Sequence, residues 1–451
     1  MLPFIGPPRS PLQVDFEAGL LQTPVEFAIT VILGLAVASL ALRKSSSPKL
    51  RLFCFCLGHT IILTAPLLMF LDATVYGDYP TIDKQGSLLF YLDGVHERLT
   101  FSPIDSLQDP AAQLIGVHVG HLWMIAGLDL FFSPNGAINA LCILLPALAW
   151  WGCALLLKEF NVAWEWAIAL ALPFGLGLHL FRDLNWYTIE KAAIFWLPLF
   201  MLSILKAYKQ GGKWPLYAGI CFALMAFTNW YLALVSASAM VFAQLCMLKD
   251  VRLWRISIGV GLMAIPLAAL QFALLLNAAP SDPQLYLDQR AALDILSLSE
   301  LQWNRLPLWR VVELFAFSYG VVTVMKYWST PLIRLLSMVA TGLLLLSLGP
   351  NLTPTIQNPL FMAIWHVVPG FWRVAKPEVF FYGTWLLVLC CSAYGLSRSP
   401  IFKTVSRRMQ IAIYCASLVW WILAVRNHEV FPGFSTPLDS ELGEVWRARL
   451  I

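Results

Sequence analysis

The chain has 451 residues, 59% of them hydrophobic and only 12% charged, about half the charge that soluble domains carry. A net charge of +4, scattered along the chain, excludes a concentrated basic face for nucleic acid, and no stretch is polar enough to form a large soluble domain. Runs of about 20 apolar residues, the length a bilayer core requires, recur from end to end, so the composition predicts an all-α polytopic membrane protein with about 12 transmembrane helices.

The first 23 residues hold one arginine, several prolines and no apolar h-region. The helix beginning near Val25 is therefore expected to act as its own insertion signal. Spans are predicted near 25–43, 52–71, 136–157, 163–182, 190–206, 215–229, 230–247, 254–277, 310–326, 331–349, 378–397 and 409–425. The stretch "AQLIGVHVGHLWMIAGLDLFF" (112–132) is apolar but holds His118, His121 and Asp129. It reads as a re-entrant or interfacial helix, because counting it as a span would invert everything after it. "FTNWYLAL" (227–234) leaves open a split at 229–230 or a kink in one broken segment. The segment 285–303 has Leu and Trp at helical spacing among charges, the pattern of an amphipathic helix on a membrane surface. All nine cysteines fall in apolar runs, which indicates neither a disulfide framework nor a thiolate zinc site.

Lys and Arg in short loops mark the cytoplasmic side. They gather at Arg43, Lys44, Lys49 and Arg51, at Lys206, Lys209 and Lys213, at Lys249, Arg252 and Arg255, and at Arg398, Lys403, Arg407 and Arg408. These clusters share one side if the first helix runs inward, and Glu159 and Asp250 are almost the only acids there. The opposite, outer side receives the loops 72–111, 278–309 and 350–377, the tail 426–451, and most of the acids.

Four outer segments carry candidate chemistry. In "TVYGDYPTID" (74–83), Asp78 sits in a stiff turn with Gly77, Tyr79 and Pro80, close to the bilayer, and Asp83 follows. Lowered dielectric there makes a carboxylate a stronger base and a better metal ligand. "FRDLNWYTIEK" (181–191) adds Asp183, Tyr187 and Glu190. "WHVVPGFWRVAKPEVFFY" (365–382) brings Arg373 and Lys376 to the mouth of a helix. Those two cations suit either a lipid phosphate, which arginine grips with its fork, or plain interfacial anchoring. His118 and His121 share a helix face but lack a third ligand in sequence, so packing is the favoured reading for them and for His366. "NLT" (351–353) is an outward sequon of low specificity.

The acidic turn "VYGDYPTID", the following stretch "SPNGAINALCILLPALAWWGCALLLKEF" (133–160) and the central pair of helices with its break (186–234) resemble the GT-C superfamily of multi-pass membrane glycosyltransferases. "LGPNLTPTIQNPLFMAIWHVVPGFWRVAKPEVFFY" (348–382) is most similar to bacterial YfhO-type members. The likeness covers roughly 52–425, leaving 1–51 as an N-terminal segment with an extra helix and 426–451 as a short outer tail of one transmembrane domain. One departure is that Gly-Asp is followed by Tyr-Pro here, where many members carry adjacent acids. The resemblance implies an inverting transfer of a sugar from a polyprenyl-phosphate carrier to a glycan, lipid or protein acceptor on the periplasmic face of a bacterial inner membrane. It makes Asp78, or else Asp83, the base and Arg373 with Lys376 the phosphate ligands. Asp183 or Glu190 becomes a second acid or a ligand for Mg or Mn. Transport of a lipid-linked saccharide and an inactive scaffold on the same fold stand as alternatives.

Overall fold

The computed structural model describes residues 24–42, 47–63, 74–75, 120–132, 134–177, 192–277, 309–353, 356–368, 371, 377–400 and 434–435. These are mostly helical. The helices are α1 (Pro24–Ser39), α2 (Pro48–Leu63), α3 (Gly120–Asp129), α4 (Pro134–Lys158), α5 (Trp164–Gly175), α6 (Trp196–Gln210), α7 (Trp214–Thr228), α8 (Trp230–Cys246), α9 (Val251–Asn277), α10 (Trp309–Lys326), α11 (Pro331–Ser347), α12 (Pro359–Val367) and α13 (Phe380–Arg398). Two small antiparallel ladders join β1 (Thr74–Val75) to β4 (Phe434–Ser435) and β2 (Asn351–Thr353) to β3 (Ile356–Gln357). The expected span at 409–425 and the surface helix at 285–303 lie outside the described residues.

Two helices, Gly136–Lys158 and Phe380–Arg398, are long and apolar enough to cross a membrane. They are also the buried centre. Trp150, Cys153 and Leu157 of α4, and Leu386, Leu389 and Cys390 of α13, are shut off from the surface. Helices α2, α3, α5 and α6 pack on α4, while α10 and α11 pack on α13. The peripheral helices turn apolar faces outward: Ile32 of α1 is 64% exposed, Leu262 of α9 66% and Met325 of α10 75%. On α9 the inward face is Leu253, Ile256, Val260 and Ala264, three or four residues apart, and Trp254, Ile258, Leu262 and Ile265 point out. An apolar skin of this kind marks contact with a membrane or another apolar partner. With the two span-length helices it points to a membrane-associated helical protein.

Side-chain contacts orient the helices. Glu159, just past α4, meets Lys206 of α6 at 3.1 Å, and Lys206 also lies over the Trp214 ring at the start of α7. Tyr208 donates to Asp250 between α8 and α9 at 2.6 Å. A cleft joins Asn161, Lys209, Leu332 and Arg398. Hence α4, α6, α8 and α13 end, and α7, α9 and α11 begin, at one end of the bundle. That end holds Lys158, Lys206, Lys209, Lys213, Lys249, Arg252 and Arg398 with the acids Glu159, Glu165 and Asp250, of which Glu159 and Asp250 make the contacts just given.

The chain breaks at Asn229, which leaves helical geometry (φ −157°, ψ 105°) and caps α8 by accepting from Tyr231 N. Across the bend Ser236 Oγ approaches Met225 Sδ at 3.5 Å. Residues 11 apart in one continuous helix would be about 16 Å apart, so α7 and α8 are an antiparallel pair and not one kinked segment. Helix α3 rises only about 15 Å, half the roughly 30 Å hydrocarbon layer. It lies at the non-cationic end, where Gly120 abuts Thr228: a Cβ at Gly120 would sit 2.5 Å from Thr228 Oγ1. This short helix lies within the interfacial stretch expected at 112–132. Leu130 and Phe131, 77% and 81% exposed, form its apolar lip.

Boundaries differ from the sequence expectation where local bonding decides them. Helix α9 starts at Val251 rather than 254, because Asp250 Oδ1 accepts from the N–H groups of Arg252 and Leu253, a side-chain N-cap. Helix α5 stops at Gly175, short of 182, and α6 begins at Trp196 rather than 190. Between α1 and α2, a Cβ at Gly34 would stand 2.8 Å from the Gly58 carbonyl oxygen. The two backbones therefore touch at glycine, as small-residue helix pairs do.

Candidate functional site

Three segments of interest enter helices at the non-cationic end. The stretch 76–119 leads into α3, 178–191 leads toward α6, and 372–376 leads into the 3-10 turn Pro377–Val379 and α13. Asp78, Tyr79, Asp83, His118, Asp183, Tyr187, Glu190, Arg373 and Lys376 themselves lie outside the described residues. The structure describes the helix ends that adjoin these segments in sequence.

The frame of the Arg373–Lys376 segment begins at the end of α11. Gly349 adopts φ 74°, a left-handed turn that glycine enters without the Cβ penalty. Asn358, almost completely buried, then gathers the chain. Its Nδ2 donates to Leu345 O at 2.6 Å and Gly349 O at 2.9 Å, satisfying carbonyls that a helix end leaves open. Its Oδ1 accepts from Phe361 N at 3.3 Å and so caps α12. Its own N–H donates to Pro350 O at 2.7 Å. Phe361 packs edge-on against Phe371 with centroids 5.1 Å apart, and Phe371 meets Phe380 at 6.0 Å. Pro377 closes on Gly349. Both flanks of 372–376 are thus fastened to the ends of α11, α12 and α13.

The two described residues ahead of the acidic stretch in sequence have a partner of their own. The β1–β4 ladder pairs Thr74 with Ser435 and Val75 with Phe434, so the C-terminal tail runs beside the residues immediately before Tyr76–Gly77–Asp78. At the non-cationic end, Thr228 Oγ1 accepts from Trp196 Nε1 at 3.2 Å, linking the start of α6 to the end of α7. Trp230 and Tyr231 stack at 4.1 Å beyond the break.

Of the two described candidate histidines, His121 is buried in α3 beside Gly120, and His366 is exposed in the last turn of α12. Among the described residues no three of His, Cys, Asp and Glu are grouped to hold a metal ion. The acids considered as metal ligands, Asp183 and Glu190, lie outside those residues. Asn229 and Asn358 belong to no motif that the sequence offers as functional, yet they hold the frame. Their signal is an Asn set directly before an apolar run, with Pro359 at the first helical position in the second case.

Comparisons with protein-family models, curated proteins and solved structures find no match. The described residues form a largely helical protein with an apolar outer surface that points to membrane association, one cationic end, and an opposite end at which α3, α6 and α13 begin.

Proposed function

We propose that this chain is a multi-span membrane glycosyltransferase that moves a sugar from a polyprenyl-phosphate carrier to an acceptor on the non-cytoplasmic face, the periplasm if the cell is bacterial. The observation that carries the proposal is the segregation of the ends. The helices that follow, in sequence, the segments holding Asp78 and Asp83, Asp183 and Glu190, and Arg373 and Lys376, namely α3, α6 and α13, begin opposite the cationic end. By the positive-inside rule the cationic end is cytoplasmic, which supports a non-cytoplasmic face for the opposite end, the side on which a lipid-linked donor would present its phosphate. The outward apolar faces of α1, α7, α9 and α10 support a bundle in which most helices cross the bilayer, as the sequence pattern of about 12 spans requires.

The chemistry follows from charge. An acceptor hydroxyl is a weak nucleophile, so a carboxylate takes its proton as the oxygen attacks the anomeric carbon from the face opposite the phosphate, inverting it. Asp78 is the first candidate and Asp83 the second. As the carbon–oxygen bond to the carrier breaks, the phosphate gains negative charge, which Arg373 and Lys376 neutralise. Phe371 and Pro377, which flank those cations in sequence, are fastened to α11, α12 and α13.

The test is transfer of radiolabelled sugar from polyprenyl-phosphate-sugar in membranes holding matched amounts of wild type, Asp78→Asn or Asp83→Asn. Loss with one substitution alone names the base. Equal donor consumption by wild type, both variants and empty membranes would sink the transferase reading and make transport the next assay.

A further inference from the structure

The cationic end holds a cavity of about 370 Å³ that the transferase reading does not use. It forms where four segments meet: the turn after α4, the last turn of α6, the first turn of α11 and the last turn of α13. Positive charge at helix C-termini is expected from the helix dipole and from the positive-inside rule, and Lys158, donating to Val162 O at 2.8 Å, serves that role. The charges at the cavity go further. Glu159 is the one carboxylate in its wall. It faces Lys206 at 3.1 Å and Lys209 at 4.0 Å. Arg398 lies over the Tyr394 ring, 5.4 Å from its centroid, with no carboxylate partner among the described residues. The lining thus carries two cations, Lys209 and Arg398, against one carboxylate that Lys206, outside the lining, already pairs; Lys209 Nζ also donates to Glu159 O at 2.9 Å.

Polar groups of the right kind line the same space. Asn161, held at φ 61°, and Ser397, whose hydroxyl donates to Tyr394 O, share the lining with Lys209 and Arg398, while Phe160 and Leu332 supply an apolar side. A guanidinium fork and an ammonium beside an apolar wall match a phosphate group carried on an apolar body. Basic pockets between helix ends at a cytoplasmic membrane surface take anionic lipid headgroups by this means.

We propose that this cavity binds a phosphate group, with the headgroup of an anionic phospholipid as its source, held by Lys209 and Arg398. The proposal shares with the transferase reading only that the bundle spans a membrane, and needs none of its chemistry.

The full chain is reconstituted into phosphatidylcholine nanodiscs with or without phosphatidylglycerol, and lipid retained after detergent release is counted by native mass spectrometry. Failure to enter nanodiscs at all would strike the membrane reading, and is thereby distinguishable. Wild type should retain phosphatidylglycerol over phosphatidylcholine, and the double variant Lys209→Gln/Arg398→Gln should retain about tenfold less. Lys213→Gln, an exposed cation at the same end but outside the cavity, should match wild type. In a second arm, inorganic phosphate is added to phosphatidylcholine discs and the unfolding midpoint is followed. A midpoint that rises for wild type alone, without lipid preference, keeps the phosphate site and assigns it a soluble source. Equal lipid retention together with equal midpoints in wild type and double variant would overturn the proposal. If the double variant is unstable without ligand, Arg398→Gln alone carries the same comparison, since no hydrogen bond of its side chain joins it to the described fold.

Discussion

Gly349 and Pro377 touch across the mouth of α13: a Cβ at Gly349 would stand 3.2 Å from Pro377 Cγ. The contact exists because Gly349 turns with φ 74° at the end of α11, and it fixes the residue at which the Arg373–Lys376 segment re-enters a helix. Gly349→Ala should combine left-handed strain, about 1–2 kcal/mol, with a tight approach to a rigid ring. Gly212→Ala, at φ 64° with nothing within 4 Å, isolates the strain alone. Chemical denaturation in a common detergent should show Gly349→Ala as the more destabilised of the two. Equal losses would mean that the Pro377 contact has slack.

Asn358 should be the costlier site. Asn358→Ala leaves the carbonyls of Leu345 and Gly349 and the N–H of Phe361 without their side-chain partner, all in a buried setting. One lost cap and two open carbonyls amount to about 3 kcal/mol. Asn358→Asp keeps the acceptor for Phe361 but loses both donations, so its stability should be no better than that of Asn358→Ala. If instead Asn358→Asp restores wild-type unfolding, the cap alone matters and the tie between α11 and α12 does not. Under the proposed function, either variant should also raise the donor concentration needed for half-maximal transfer.

Much of this frame is legible in the order of residues. Apolar runs closed by Lys158, Lys326 or Arg398, and Pro215 and Pro331 at helix starts, place α4, α7, α10, α11 and α13 within a few residues, whereas α12 lies in what the sequence reads as the outer loop 350–377. The Asn229 break shows as polar residues inside an apolar run, and the reading of two spans, 215–229 and 230–247, agrees with the fold-back, while the kink alternative falls. Nothing in the sequence shows that Asn161, Lys209 and Arg398 share a wall, because helix packing and not spacing joins them. The β1–β4 ladder is illegible for a further reason. Two-residue strands are too short to carry an alternating pattern, and their partners lie at opposite ends of the chain. Of the candidate residues only His121 and His366 can be followed into the structure, and they sit in different helices, one buried and one exposed.

Orientation can be read directly with thiol labelling. Gly212, exposed beside Lys213, lies at the cationic end, and Gln357, exposed in β3, follows α11 at the other. In a background where the exposed Cys246 is serine, Gly212→Cys and Gln357→Cys should react with a membrane-impermeant maleimide from opposite sides of sealed vesicles. The Gln357→Cys side is expected to be the non-cytoplasmic one. Labelling of both from the same side would contradict a membrane-spanning α11 and, with it, the proposed placement of Arg373 and Lys376.

The cationic end also makes a pH prediction. Asp250 Oδ2 accepts from Tyr208 Oη at 2.6 Å, and its Oδ1 accepts from the N–H groups of Leu253 and Arg252. These bonds, the tyrosine hydroxyl foremost, favour the ionised carboxyl and hold its pKa below the ordinary carboxylate value. The unfolded chain keeps the ordinary value and so takes up its proton first as pH falls. The stabilisation is therefore complete above the ordinary value, shrinks below it, and is gone once pH has fallen through the lowered value of the folded state. Tyr208→Phe removes the leading cause. Its unfolding midpoint should lie below wild type at neutral pH, and the gap should close on acidification. A gap of constant size down to acid pH would show that the tyrosine stabilises by packing, through its contact with the Arg252 guanidinium 5.4 Å from the ring, and not through the charge on Asp250.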